Sequence, residues 1–277
     1  MLHSVTKSIT HNGDGKKTII VNGGIDYQGG GSSLNAGTYT TGDVSQELTP
    51  IPRASEVNMI SGNTINNTTG NLVITLAKAD PSLYDKVIYS GAFGTTDSIG
   101  TGNTSTISWG QILSLMTTTW RGTETVTVQT YTDDTYTTMI GESSTTIPIT
   151  IDTTVIKPTF AFQTFAPYQD ALSGRLVAGH STARATWLSS ATGGAFISSI
   201  EITGKNCTVA SGGSSTSTSG TVDTATLPPS SSSNYEIRLK ATVIDTRGAK
   251  TVVESSALTV YAYKPPKVTL QAYRTTT

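Results

Sequence analysis

The chain has 277 residues, which is enough for two domains of about 100 to 150 residues that each bury a core. Only 13% of the residues are charged and the formal net charge is −1, so no basic surface is expected to attract nucleic acid. A single cysteine, Cys207, excludes an internal disulfide framework, and three histidines leave little material for a zinc site.

The N-terminal segment, residues 1–52, begins with a predicted β-hairpin. "SVTKSIT" and "TIIVNGGI" have the alternation of strands, and the intervening "HNGDGKK" supplies the Asn, Asp and Gly residues that accept the positive φ of tight turns. The segment lacks the uninterrupted apolar region of a signal peptide, and nowhere do about 18 apolar residues run together to span a membrane. We therefore expect no signal peptide and no membrane partner.

Further along the chain the dominant pattern is an alternation of polar and apolar residues with a period of two. It is clearest in "ETVTVQTYT" from Glu124, "TTIPITIDT" from Thr145, "YEIRLKATVI" from Tyr235 and "ALTVYAY" from Ala257. Such alternation, rich in Thr, Val, Ile and Tyr, predicts strands with one face on a core and the other in water, as antiparallel sandwich sheets require.

Two stretches depart from this pattern. In "SWGQILSLMTT" the apolar residues recur at i, i+3, i+4 and i+7 from Trp109, which predicts one short helix, capped by Ser108, that bridges two strands. The run "ASGGSSTSTSGT" from Ala210 is too poor in apolar residues to bury surface, so we expect an exposed loop or a polar edge strand.

Proline recurs at corresponding points of a weak internal repeat. The segments "IPRASEVNMIS", "KPTFAFQTFA" and "KPPKVTLQAY" place Pro52, Pro158 and Pro266 just before an alternating run. The three prolines lie about 107 residues apart, and units of roughly 100 residues built from short strands are typical of immunoglobulin-like sandwiches. Proline cannot extend a central strand, so it is suited to the handover between units.

These signals predict an all-β protein of tandem immunoglobulin-like antiparallel β-sandwiches with an N-terminal β-hairpin segment. The predicted boundaries are residues 1–52 for the N-terminal β segment, 53–156 and 157–263 for the two sandwiches, and 264–277 for a C-terminal strand or tail. An isolated hairpin is marginal in water, so we expect the N-terminal segment to pack on the first sandwich or to pair with another chain. The tail "KVTLQAYRTTT" also alternates and is suited to supplying a strand to a neighbouring chain.

The sequence offers little material for catalysis. It contains no G-x-S-x-G elbow, and His180 is the only histidine after His11, so a Ser/His/Asp triad is a weak hypothesis beside that of a polar, partly exposed histidine at a strand end. Spacing alone does not exclude a pair of carboxylates for glycoside hydrolysis, but most Asp and Glu residues lie beside turn residues or on the polar faces of strands. We expect no catalytic residues.

Metal and phosphate sites are equally weak hypotheses. Asp133 and Asp134 lie in "YTDDTYTT", which lacks the Gly and the final Glu of a calcium loop, so a solvated hairpin turn is favoured over a weak calcium site. The glycine runs "VNGGIDYQGGGSS" and "ATGGAF" open no helix and precede no Lys-Ser/Thr pair, so they are interpreted as loops. We expect neither a metal nor a cofactor.

Aromatic residues are candidates for glycan contact because sugars stack on exposed rings. The three tryptophans lie in apolar contexts, and we predict that they pack in the core: Trp109, Trp120 and Trp187. Three tyrosines near predicted turns are the alternative contacts for a glycan: Tyr84, Tyr131 and Tyr136.

The tetrapeptide Asp-Thr-Arg-Gly, residues 245–248, stands between two alternating runs and is interpreted as the corner of a hairpin. Asp245 can accept a hydrogen bond from the backbone two residues on, and Gly248 can take a positive φ. Arg247 is interpreted as a solvated tip, with a contact to a neighbouring subunit as the alternative.

Together these stretches resemble the repeat-built minor structural proteins of long-tailed, siphovirus-type bacteriophages, in which immunoglobulin-like sandwiches follow an N-terminal β-sandwich. The landmarks of that family are an H-N-x-D-G hairpin, an I-P-R-A-S junction, a T-D-S-R-G-R hairpin and an A-Y-x-x-P-K-I handover. The corresponding positions here are residues 11–15, 51–55, 245–248 and 262–268. The resemblance implies that residues 1–52 are the remnant of a sandwich.

The resemblance further implies a virion protein that is made in the bacterial cytoplasm and released by lysis. We expect a non-enzymatic structural component, above all of the tail (tip, fibre or tail decoration), that forms homo-oligomers and contacts other virion proteins. The alternatives are a receptor-binding module for a host-surface glycan and a protein that decorates the head or neck. A hydrolase of wall polysaccharide is the alternative that the residues support least.

Overall fold

A computed structural model describes residues 2–11, 17–25 and 54–271, and the chain divides into two compact units, Met1–Arg53 and Ala54–Thr277. In the first unit, β1 (Leu2–His11) and β2 (Lys17–Ile25) pair antiparallel, with His11 opposite Lys17. The predicted N-terminal hairpin is therefore confirmed in its strands. Its turn and most of the first glycine-rich run lie outside the described residues.

The second unit begins with a sandwich, here called the first sandwich, over residues 54–156. Its elements are β3 (Glu56–Ser61), β4 (Thr64–Ile65), β5 (Asn71–Ala77), β6 (Tyr84–Gly91), β7 (Thr95–Gly100), β8 (Thr104–Ser108), α1 (Trp109–Leu115), β9 (Arg121–Tyr131) and β10 (Met139–Ile151). One sheet has the order β4-β10-β9-β6-β7 and the other β3-β5-β8. Both sheets contribute to a single apolar core.

The predicted helix is confirmed, and it carries the chain from one sheet of the first sandwich to the other. The hydroxyl of Ser108 caps α1 by accepting a hydrogen bond from the amide of Gln111 at 3.2 Å. Trp109, Ile112 and Leu113 face the core, as the helical spacing predicts. No helix in the described part of the chain is long and apolar enough to cross a membrane.

A second sandwich follows over residues 157–263. Its strands are β11 (Thr159–Pro167), β12 (Leu176–Val177), β13 (Ala183–Ser190), β14 (Ile197–Lys205), β15 (Val209–Ser211), β16 (Ser214–Ser215), β17 (Ser219–Thr224), β18 (Tyr235–Asp245), β19 (Lys250–Glu254) and β20 (Leu258–Tyr261). One sheet has the order β11-β13-β17-β15. The other has the order β12-β20-β18-β14-β16, and β19 pairs with β18 beside it.

The burial of alternate residues explains why these segments form strands. In β18 every second residue, from Ile237 to Val243, is fully buried, and its neighbours face outward. Residues from both sheets, among them Trp187 and Leu239, share one core. The all-β class predicted from the alternation is confirmed.

Two polar or exposed segments flank this core. The Ser/Gly/Thr-rich run forms β15 and β16, which lie at the edges of the two sheets, so the prediction of a polar edge strand is confirmed. The C-terminal segment contains no strand between Ala262 and Gln271. The strand predicted there is not formed within the described residues, and its apolar side chains are exposed: Val268 by 82% and Leu270 by 92%.

Candidate functional site

A turn at one end of the second sandwich is the centre of the candidate site. It connects β18 to β19, and Asp245 Oδ1 closes it by accepting hydrogen bonds from the amides of Arg247 (3.0 Å) and Ala249 (2.9 Å). Gly248 has a φ of 83°, and its amide donates to the carbonyl oxygen of Asp245 at 2.9 Å. The hairpin corner predicted from the sequence is therefore confirmed.

The side chain of Arg247 reaches from this turn into the first sandwich, and only 3% of the residue is exposed. Its guanidinium donates to two carbonyl oxygens of the first sandwich, that of Met116 from Nε (2.7 Å) and that of Leu113 from Nη2 (2.6 Å). It also donates to the carbonyl oxygens of Thr192 (2.8 Å) and Gly193 in its own sandwich. The interpretation of Arg247 as a solvated tip is wrong, because the first sandwich covers this end of the second.

The guanidinium meets the C-terminal end of α1, where the last carbonyl oxygens lack amide partners within the helix. A cation is favoured at this end of a helix, and a planar guanidinium can serve several oxygens at once. Burial lowers the pKa of Arg247 from its usual value, and the charge of Asp245 opposes that shift. Asp245 Oδ2 is buried and accepts no hydrogen bond from any residue that the structure describes. We call this contact between the two sandwiches, centred on Arg247, the joint.

Two glycines and a threonine complete the joint. Thr246 Oγ1 donates to the carbonyl oxygen of Thr117 in the first sandwich at 2.5 Å. Gly193 and Gly194 have φ values of 59° and 79°, and a β-carbon on Gly193 would come within 3.0 Å of Leu113 Cδ1. The run "ATGGAF" is therefore a loop, as predicted, but it is a loop that needs glycine for its conformation and for close packing. Its adjacent glycines were the one sequence signal for this contact.

The covalent link between the sandwiches is short. Ile156 belongs to the core of the first sandwich and Phe160 to that of the second. The carbonyl oxygens of the two residues after Ile156 each accept a hydrogen bond from a threonine of the second sandwich. These bonds are Thr192 Oγ1 to Lys157 (2.9 Å) and Thr251 Oγ1 to Pro158 (2.5 Å). The connection is thus fixed by hydrogen bonds on two of the three residues between the cores.

His180, the histidine considered for a catalytic triad, lies exposed in the turn before β13. Its ring packs edge-on against Tyr263, with 4.8 Å between the ring centroids. The adjacent hydroxyl of Ser181 serves the backbone, because it accepts from the amide of Val177 and donates to the carbonyl oxygen of Asp170, each at 2.8 Å. The contacts that the structure gives to His180 and Ser181 are therefore those of a folded turn.

Asp133 closes the turn between β9 and β10, as the hairpin interpretation predicts. Its Oδ1 accepts from the hydroxyls of Thr135 (2.5 Å) and Thr137 (3.0 Å), and its Oδ2 from the amide of Thr138 (2.8 Å). These hydrogen bonds, above all that from Thr135, hold the pKa of Asp133 well below its usual value. In the described ranges, no three His, Cys, Asp or Glu residues come together as metal ligands would.

Two of the three tryptophans lie in the core as predicted. Trp109 is buried and donates from Nε1 to the carbonyl oxygen of Gly62 at 2.7 Å, and Trp187 is stacked on Phe160. The prediction is wrong for Trp120, which is 41% exposed. This residue lies in the turn before β9, at the end of the sandwich, so its ring does not lie between the sheets.

The three tyrosines considered for glycan contact come together at one end of the first sandwich. Tyr84 lies opposite Tyr131 in the pairing of β6 with β9, and the ring of Tyr131 packs edge-on against that of Tyr136. Tyr131 is buried, and its hydroxyl donates to Gln129 Oε1 at 2.7 Å. The hydroxyl of Tyr136 accepts from the amide of Gly100 at 3.1 Å. Their visible contacts are therefore internal to the sandwich.

Several solved structures are similar to the chain at low sequence identity. The BSP domain of a biofilm associated protein is 13% identical, with 78% of this chain and 31% of that chain covered and a TM-score of 0.26. The protocadherin GammaB4 extracellular domain is 12% identical, with coverages of 94% and 43% and a TM-score of 0.25. Red sea bream transglutaminase is 8% identical, with coverages of 93% and 41% and a TM-score of 0.23. The chain thus spans less than half the length of each.

No curated protein matches the chain. One family model matches it over its whole length, residues 1–277, and its description is "Siphovirus protein of unknown function (DUF859)". The protein therefore belongs to this family of siphovirus proteins, in agreement with the resemblance to long-tailed bacteriophages seen in the sequence.

Proposed function

We propose that the protein is a non-enzymatic structural component of the siphovirus particle in which two immunoglobulin-like sandwiches form a rigid spacer. The observation that carries this proposal is the joint. A buried arginine of one sandwich binds the helix end of the other, and the covalent connection beside it is fixed by hydrogen bonds. A spacer must transmit a fixed distance and orientation, and a joint of this kind supplies both.

The chemistry of the polar residues supports the same function. Polar residues of kinds that could serve catalysis or ligand binding are used within the fold: Asp133 in a turn, Ser181 in a loop and Arg247 in the joint. Each has hydrogen-bond partners that hold the backbone. Such residues are suited to shape rather than to turnover.

The family supports a place in the particle, and we propose the tail, at its tip or fibre or as a decoration of its tube. The partners in this proposal are other virion proteins, and its contacts are surfaces of the two sandwiches. Binding of a host-surface glycan at the tail tip is the alternative to this proposal, because sandwiches present loops at their ends.

Mass spectrometry of purified particles tests the proposal. We expect the protein in particles purified by density gradient, at a constant ratio to the other virion proteins. Detection in the lysate alone would sink the proposal. A cryo-EM map of the intact particle then assigns the protein to tail tube, tip, neck or head, and density for two sandwiches at a fixed mutual angle is the expected result.

Two assays separate the spacer from the alternatives. Purified protein is expected to release no fragments from host cell wall, whereas turnover in this assay would show a hydrolase. Purified protein that binds susceptible cells and competes with infection would identify a receptor-binding module instead of a spacer.

A further inference from the structure

The first strand of the second sandwich has a long free edge. Strand β11 spans nine residues and, among the strands that the structure describes, pairs only with β13. The opposite edge of β11 therefore has no strand hydrogen-bonded to it among the described residues, although β19 lies beside it and Thr251 binds the carbonyl oxygen of Pro158, just before the strand. Natural sheets usually protect such edges, since an open edge is a template for a strand from another chain.

A crevice of about 350 Å³ runs along this free edge. Strand β11 lines it with three aromatic residues, Phe160, Phe162 and Phe165, and the end of β19 closes the other side with Val253 and Glu254. Phe162 and Phe165 are only half-buried, so part of each ring is open to the crevice. The crevice thus combines these apolar side chains with polar ones, Gln163 and Thr164 on β11 and Ser255 and Ser256 after β19, and carries the carboxylate of Glu254 at its rim.

The C-terminal segment has the complementary pattern. Val268 and Leu270 are 82% and 92% exposed. If this segment formed a strand, these two alternate residues would lie on the same face. The segment also carries Lys264 and Lys267, which are opposite in charge to Glu254 at the rim of the crevice.

The internal repeat aligns this C-terminal segment with strand β11 of the second sandwich. When Pro266 is matched to Pro158, Val268 falls on Phe160 and Leu270 on Phe162. The segment therefore has the apolar spacing of β11 itself, the strand that runs along the crevice. In the single chain Val268 is exposed to solvent, so this segment does not occupy the crevice of its own chain.

We propose that residues 267–271 of one copy add as a strand to the free edge of β11 in a second copy. Val268 and Leu270 enter the crevice beside the three phenylalanines, and Lys267 lies near Glu254. Backbone hydrogen bonds supply the affinity and the two apolar side chains fix the register, as in other cases of strand addition. The association needs only two copies of the chain, so it stands independently of the place of the protein in the particle.

Light scattering after size exclusion tests this with the full-length protein. We expect the mean mass to rise with concentration above that of one chain. The double variant Val268→Asp and Leu270→Asp places two charges in the crevice and is expected to remain monomeric. The matched control is Leu172→Asp, which changes a residue that is 70% exposed and lies outside the crevice, and it is expected to associate as the parent does.

A second variant blocks the acceptor instead of the donor. Ala161 is exposed on β11 and borders the crevice, so Ala161→Lys places a cation there that repels Lys267. This variant alone is also expected to be monomeric. A mixture of the two monomeric variants is expected to form two-chain species, because one copy then offers an intact strand and the other an intact edge.

This mixture distinguishes a lost interface from a damaged fold. Two-chain species can form in the mixture only if both variants are folded and if one retains an intact C-terminal strand while the other retains an intact β11 edge. A parent protein that remains monomeric at every concentration, association retained by the Val268/Leu270 variant, or a mixture that stays monomeric would each overturn the proposal. An equal loss of association in the Leu172 control would also overturn it, since the contact would then depend on general apolar surface.

Discussion

Nη2 of Arg247 lies 2.6 Å from the carbonyl oxygen of Leu113, although the two residues are 134 positions apart in the chain. The donor belongs to a turn of the second sandwich and the acceptor to the helix of the first. Together with the bond from Nε to Met116, this bond pairs a buried guanidinium of one sandwich with two carbonyl oxygens of the other, so each sandwich helps to satisfy buried polar groups of its neighbour. We therefore expect residues 54–277 to unfold as one cooperative unit.

Substitution of Arg247 tests this dependence. Arg247→Ala removes four hydrogen bonds to carbonyl oxygens and leaves Asp245 buried without a nearby cation, so we expect a loss of about 3 kcal/mol or more in the free energy of unfolding. We also expect the single transition to divide into two. Calorimetry measures both effects, and the fluorescence of buried Trp109 and Trp187 reports on each sandwich.

Arg238 supplies the control for this measurement. It is 39% exposed in its side chain and its contact with Glu236 is long, at 3.8 Å. Arg238→Ala is therefore expected to change stability by less than about 0.5 kcal/mol. A joint that held the sandwiches by packing alone would give the same small effect for Arg247→Ala, and that result would contradict the assignment.

Comparison of two glycines separates the cost of a close contact in the joint from the cost of a left-handed backbone conformation. Gly193 and Gly174 both have positive φ values, 59° and 75°, but only a β-carbon on Gly193 would meet another residue, the side chain of Leu113 at 3.0 Å. Gly193→Ala and Gly174→Ala share the cost of the left-handed conformation, about 1 to 2 kcal/mol. We expect Gly193→Ala to cost a further 1 to 3 kcal/mol or so by overpacking the joint.

Urea denaturation of the two variants measures this difference. The excess should vanish when Leu113 is shortened to alanine in the same chain, because the added methyl group then has space. An equal loss for the two glycine variants would mean that the loop can move away from α1 without cost.

The Asp133 turn gives a prediction about metal. Both carboxylate oxygens of Asp133 already accept hydrogen bonds, so we expect the melting temperature of the protein to be the same with calcium and with a chelator. Asp133→Ala should lower the melting temperature, whereas the exposed neighbour Asp134 can be changed to alanine with little effect. Differential scanning fluorimetry checks all three, and a rise in the melting temperature with calcium would favour the calcium alternative.

The sequence predicted the local features well and the joint poorly, for a physical reason. The alternation that marks β18, the cap of α1 and the turn chemistry of Asp245 and Gly248 depend on residues a few positions apart, and all are confirmed. The burial of Arg247 depends on carbonyl oxygens more than 130 positions away, for which no side-chain pattern exists. Every residue carries a backbone carbonyl oxygen, so the sequence does not show which of them accept a hydrogen bond from Arg247. The only sequence sign of this contact is the pair of glycines that lets the two sandwiches pack closely.

Trp120 and Trp109 are both predicted to be buried, but their neighbours differ. Trp120 stands in "TTTWRGTE", which contains no aliphatic residue, whereas Trp109 stands in "STISWGQI", which contains two isoleucines. Trp109 opens a helix that faces the core, whereas Trp120 ends the turn before β9 and lies beside the guanidinium of Arg121, with 4.8 Å between the guanidinium carbon and the ring centroid. Position along an element and the apolar residues nearby together determine which ring reaches the core.

The last prediction concerns alkaline pH. Burial raises the pKa of Tyr89 to about 12, against an ordinary value of about 10 in an unfolded chain. Between these values the unfolded chain has lost the proton while the folded chain keeps it, so stability falls as the pH rises. At about 1.36 kcal/mol per pKa unit, this residue accounts for a loss on the order of 2 to 3 kcal/mol by pH 12.

Tyr89→Phe isolates this effect, because phenylalanine does not titrate. The variant loses the hydrogen bond of 2.7 Å between the Tyr89 hydroxyl and Ser105 Oγ, so we expect it to be less stable than the parent at neutral pH. Between about pH 10 and pH 12 the parent should lose stability faster, and the difference between the two proteins should shrink. Urea denaturation across this range measures both. Parallel curves for parent and variant would show that the unfolding equilibrium is not linked to ionisation of Tyr89.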